Sequence, residues 1–118
     1  MINKKDKNKS HLKNLMSIAM ADGQFAESER HILFSVARRL GMSDEDISIV
    51  YENPESIQFI PPSSHNEKMD QIYDFIYLIS ADRTVDPKEL DICKKLASHL
   101  EIAPSVVDGL LSKFVVRK

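Results

Sequence analysis

The sequence predicts an all-α fold: a single compact domain made of two duplicated three-helix units packed about a pseudo-two-fold axis. Three observations lead there. Apolar residues recur at helical spacing along most of the chain, with no strand-like alternation longer than a few residues. A proline-rich stretch, residues 54–63, interrupts that pattern near the middle. The sequence also matches itself at an offset of 60 residues. With 118 residues, 42% hydrophobic and 29% charged, the chain is long enough for one buried core.

The elements follow in order. Ser10 is the expected cap of a first helix whose apolar stripe is Leu12, Leu15, Met16, Ala19 and Met20, ending at Asp22-Gly23. The basic residues 1–9 before it read as a flexible arm. A second helix runs from Glu27 to Leu40 with Ile32, Leu33, Val36, Ala37 and Leu40 inward, and Gly41 as its left-handed C-terminal cap. Ser43 opens a short third helix through Asp46, Ile47 and Val50, stopped by Asn53-Pro54. In the linker, residues 54–63, Pro54, Pro61 and Pro62 remove backbone donors. Ser64 and Glu67 then form an S-x-x-E start signal for a fourth helix with Met69, Ile72, Tyr73, Ile76 and Ile79 on its apolar face. Asp86-Pro87-Lys88-Glu89 announces a fifth, carrying Leu90, Cys93, Leu96, Ala97 and Leu100. A sixth begins near Pro104, with Val106, Val107, Leu110, Leu111 and Phe114 as its stripe. The predicted layout is thus an arm (1–9), a helical domain (10–115) of two units (10–53 and 64–115) about the linker, and a tail (116–118).

At the offset of 60, Ala21-Asp22 meets Ala81-Asp82, Glu29 meets Glu89, Ile32 meets Ile92, Ala37 meets Ala97 and Leu40 meets Leu100. Neither half can bury its apolar faces alone, so the two must pack together.

Each half also carries one element between its first two helices, A-D-x-x-apolar-x-x-x-E: Ala21, Asp22, Phe25 and Glu29, then Ala81, Asp82, Val85 and Glu89. Gly23, Phe25 and Glu29 have the spacing of an EF-hand's glycine, apolar and final glutamate positions. The ligand positions fail, since Ile18 and Met20, or Leu78 and Ser80, stand where carboxylates are needed, and Arg83 takes the second glycine position. A high-affinity EF-hand is excluded. One Asp and one Glu per unit, joined by Glu27 and Asp86, remain as candidates to hold a divalent cation (calcium, manganese or zinc) with carbonyls and water. The competing reading is structural. Glu29 and Glu89 stand where the third helical residue reaches back to the cap's N–H, and Asp22 and Asp82 can brace a tight turn.

The segment LMSIAMADGQFAESE, with a helix ending ARRLG, echoed by FIYLISADRTVDPKEL and LASHL, resembles the TerB-like family of tellurite-resistance proteins, whose module also forms the N-terminal domain of DjlA-type co-chaperones. The resemblance spans residues 10–115. It implies a duplicated helical fold, a bacterial cytoplasmic or membrane-associated setting, association with stress-response proteins, and metal-binding acidic positions that fall on Asp22, Glu29, Asp82 and Glu89. Arg83 and Glu101 stand where the family usually has glycine.

The other candidates are weaker chemistry. His11, His31, His65 and His99 show no metal-ligand spacing, and Cys93 sits on an apolar stripe as a small core residue. Met16, Met20 and Met42 read as core fillers. Phe59 and Ile60, beside two prolines, are candidate partner contacts or pack over the core, and Val115 and Val116 extend a packed helix or make a dimer contact. No phosphate loop, Ser/His/Asp signature or nucleophile elbow is present, so the expectation is a non-catalytic interaction module with protein partners; the alternative is a small metal-dependent hydrolase using Asp22 and Glu29. A net charge of −2 and a pI of 6.1 give no reason to expect nucleic acid. That balance hides a division, because Lys4, Lys5, Lys7, Lys9, Lys13, Lys113, Arg117 and Lys118 cluster at the ends and leave an acidic body. No apolar run approaches the roughly 20 residues of a membrane span, and the lone cysteine fits a reducing cytoplasm.

Overall fold

Helical periodicity is realised throughout the computed structural model, which describes residues 4–21, 23, 25–81 and 85–114. The order is α1 (Lys4–Ala19), α2 (Glu27–Arg39), α3 (Asp44–Glu52), a 3-10 turn at Pro54–Ser56, α4 (His65–Ile79), α5 (Pro87–His99) and α6 (Pro104–Phe114). No strand occurs among the described residues, and the helices close on one core as a single globule.

The caps explain most boundaries. Ser43 Oγ accepts the N–H of Asp46 at 3.1 Å, and Ser64 Oγ accepts that of Glu67 at 3.1 Å. Asp86 accepts from Lys88 and Glu89 at 2.7 and 3.3 Å, with Pro87 at the first position of α5. α2 and α5 end alike. Gly41 N–H bonds Arg38 O and Met42 N–H bonds Ala37 O, both at 3.0 Å; Glu101 N–H bonds Ser98 O and Ile102 N–H bonds Ala97 O, both at 2.9 Å. Each is a Schellman closure with a left-handed residue, Gly41 at φ 74° and Glu101 at φ 64°.

α1 begins earlier than its expected cap. Lysine is a good helix former, and the helix runs from Lys4 straight through Ser10, so residues 4–9 are its first turns rather than a flexible arm. They are tied down: Asn8 Nδ2 donates to Leu40 O at 3.2 Å, and Lys9 pairs with Asp46 at 3.6 Å. Ser10 is buried mid-helix, where its hydroxyl accepts the N–H of Ile60 at 2.8 Å. Lys13 Nζ reaches Ile57 O at 3.0 Å, so the linker is strapped along α1.

α1 and α4 form the centre, packed on each other. α1 also meets α2, α3 and α5; α4 meets α2, α5 and α6. Leu12, Leu15 and Ile18 of α1, Leu33 and Val36 of α2, Val50 of α3, Ile72, Phe75, Ile76 and Ile79 of α4, Leu100 and Val107 are fully buried. Each large apolar side chain contributes about 1.5–3 kcal/mol by leaving water. Two expected core residues are not there. Met20 lies past the last turn of α1 and is 50% exposed, and Tyr73 sits on the flank of α4 at 45%. Phe114's side chain, and Val115 and Val116, lie outside the described residues.

Candidate functional site

The repeated acidic element joins α1 to α2 and α4 to α5. After α1, the N–H of Gly23 donates to Met20 O at 3.0 Å, with Gly23 in the left-handed region at φ 83°. Two residues on, Phe25 is half-buried against the core, and Ala26 starts α2 in extended conformation. Glu29 Oε1 accepts the N–H of Ala26 at 3.2 Å, the reach-back that its spacing predicted. Glu29 and Glu89 are both buried, at 7% and 6% exposure. Asp22, Asp82 and Arg83 lie outside the described residues. Among the described residues, no group of three or more His, Cys, Asp or Glu side chains is arranged to hold a metal ion. Glu27 is exposed at the first turn of α2, and Asp86 is engaged as the cap of α5.

Phe59 and Ile60 lie on the strapped linker. Phe59 is partly exposed and meets the ring of His99 edge-on, centroids 5.9 Å apart, while Ile60 is half-buried and anchored by its backbone to Ser10.

A polar cluster that motif reading missed joins α1, α2 and α4. His11 Nε2 stands 2.7 Å from Asp74 Oδ2, and Arg39 donates to both carboxylate oxygens at 2.9 and 2.6 Å. His11 and Asp74 are 3% and 5% exposed. Burial alone would raise the carboxyl's pKa, but the hydrogen bonds from His11 and Arg39 hold Asp74 below the usual carboxylate range. Arg39's pKa is raised in return, chiefly by its bond to Asp74. Because an ionised Asp74 only accepts, Nε2 of His11 carries the shared proton. Nδ1 of His11 is buried with no partner among the described residues. The cluster floors a cleft of about 480 Å³ between α1 and α4, with Lys7, Asp70 and Tyr73 on its walls. No serine, threonine or cysteine is among its described lining residues. Cys93 is buried in the core, where desolvation pushes its thiol up to about 12. One sequence signal pointed to the cluster: Asp74 lies one helical turn before the core residue Leu78, where a charge needs a partner.

Tyr51 of α3 stacks with both Phe25 and Phe34, ring centroids 5.9 and 6.0 Å away. Burial raises the Tyr51 phenol's pKa against the lowering field of Arg30.

The family model of tellurite resistance protein TerB matches residues 2–50. Over these residues the chain is similar to TerB. The TerB match takes in α1, α2 and most of α3, and therefore the first acidic turn. No curated protein and no solved structure matches the chain.

Proposed function

We propose that the chain is a non-catalytic TerB-like interaction module acting in a bacterial stress response to tellurite, other metals or envelope damage, in the cytoplasm. The TerB match over residues 2–50 carries this reading. Its acidic turns, Asp22 with Glu29 and Asp82 with Glu89, are proposed to bind a divalent cation and present an acidic surface to protein partners, and Phe59 with Ile60 is a second contact. The two-unit organisation, 10–53 and 64–115 about the linker, belongs to the same proposal. It is supported by the matched Schellman closures and by pairings that exchange under the repeat: α1 with α2, α3 and α5 corresponds to α4 with α5, α6 and α2. No helix among the described residues is long and apolar enough to cross a membrane.

The test is titration of calcium, manganese and zinc into wild type, Asp22→Asn and Asp82→Asn, reading amide shifts and melting temperature. Saturable shifts at the acidic turns with a raised melting temperature, abolished by Asp22→Asn, are expected. Absence of saturation at millimolar metal, with both variants merely less stable, makes the acids turn braces and removes the metal from the proposal.

A further inference from the structure

The outward side of α2 differs in character from the acidic body around it. The helical period puts Glu27, Arg30, His31, Phe34 and Arg38 on one side, opposite the buried Ile32, Leu33, Val36 and Ala37. Neither Arg30 nor Arg38 forms an ion pair among the described residues. Arg30 instead lies over the ring of Phe25, 5.0 Å from its centroid. Phe34 is 42% exposed. Phe25, Arg30 and Phe34 border a groove of about 330 Å³, and the adjoining Tyr51 hydroxyl is buried without a hydrogen-bond partner among the described residues.

Aromatic rings with arginines, clear of lysine, have the composition of a protein-binding hot spot. The repeat supplies an internal contrast. At the offset of 60, Leu90 and Lys94 replace Arg30 and Phe34, and α5 closes its surface with Lys94–Asp108 at 3.0 Å and Lys95–Asp91 at 3.2 Å. Among the described residues of this face, Arg30 and Arg38 outnumber Glu27 and none of the three is in an ion pair, so the balance is positive and fits an acidic partner. The concave groove fits a single apolar side chain.

We propose that the outward face of α2 docks an acidic segment of another protein. One apolar side chain of that segment seats between Phe25 and Phe34, and its carboxylates pair with Arg30 and Arg38. This rests on the interaction-module reading, but it needs no metal and uses charge of the opposite sign from the acidic turns.

The experiment titrates synthetic Asp/Glu peptides bearing one central Leu, Phe or Trp, and their Lys-substituted counterparts, into the isotope-labelled full chain in EDTA. Saturable amide shifts on α2 and α3 are expected with acidic peptides alone, weakening as salt rises. Phe34→Ser, Arg30→Gln and Arg38→Gln should each weaken binding about tenfold or more, whereas Lys95→Gln on α5 should leave it unchanged. All four positions are exposed, so a matching amide spectrum before titration confirms that each variant folds. The proposal is overturned if no acidic peptide saturates, if Lys peptides bind equally, or if the shifts fall on other helices. It is also overturned if only phosphatidylglycerol vesicles, or only self-association at high protein concentration, move the α2 amides. Failure of the metal titration with peptide binding intact removes the cation and leaves the α2 site; the converse removes the α2 site alone.

Discussion

α2 and α5 correspond at the sequence offset of 60, yet they start and end with different chemistry. α5 opens on Asp86 and Pro87, whereas α2 opens on Ala26, which has no side-chain acceptor and relies on Glu29 reaching back. α2 closes on Gly41; α5 closes the same hydrogen bonds on Glu101, in a conformation that costs a non-glycine residue about 1–2 kcal/mol. Outside, α5 pairs Lys94 and Lys95 with carboxylates, whereas α2 presents Arg30, Phe34 and Arg38. Backbone closure and the buried stripe are common to both helices because the core needs them. Side chains that meet water are not so bound, and there the helices differ.

The sharpest way to break the comparison is at Asp74. The corresponding residue in the first half is Asn14, buried but uncharged. Asp74→Ala should cost about 3–5 kcal/mol by urea denaturation, since it strands His11 and frees the end of α2, while Asn14→Ala should cost about 1–2 kcal/mol. The charge has a pH signature. Asp74's pKa is lowered in the folded state, so its stabilisation is complete above the unfolded value of about 4 and is lost as pH falls from there through the folded value. Asp74→Asn should therefore show a flatter stability profile than wild type in acid.

Exchanging the start signals should have a smaller effect. Asp86→Ala is expected to lower stability by about 1 kcal/mol, and Ala26→Asp to raise it by a similar amount, as both sites have extended cap geometry. Smallest is the exchange of stop signals. Glu101→Gly should stabilise by about 0.5–1 kcal/mol, relieved strain being partly offset by a more flexible unfolded chain and loss of the exposed Lys68 pair. Gly41→Ala should destabilise by about 1 kcal/mol. Responses of the same sign at Gly41 and Glu101 would show that the two closures do not bear comparable strain.

Much of the fold was legible because it rests on local rules. Ser43, Ser64, Asp86 and Gly41 act at the helix ends where their chemistry predicts, and the inward stripes hold for most positions. What escaped depends on distance. Ser10 has the chemistry of a cap, but its hydroxyl is used by Ile60, 50 residues away. The lysines before it have no local stop signal, so α1 extends through them. Met20 fits the apolar stripe by period, but α1 unwinds before it. His11, Arg39 and Asp74 carry no motif, because their relation exists only once three helices meet. Of the candidate acids, Glu29 was legible as a cap since three residues of one helix settle its contact.

The central pairing of α1 with α4 has a consequence for dividing the molecule. Each of these helices touches partners from both sides of the linker, so a piece ending before α4 would leave Leu12, Leu15 and Ile18 facing water, and the complementary piece would do the same with Phe75 and Ile76. The fold is thus suited to fragment complementation. Chains severed after the strap at Ile60 should be insoluble alone and should reassemble when mixed, reporting proximity of whatever is fused to them.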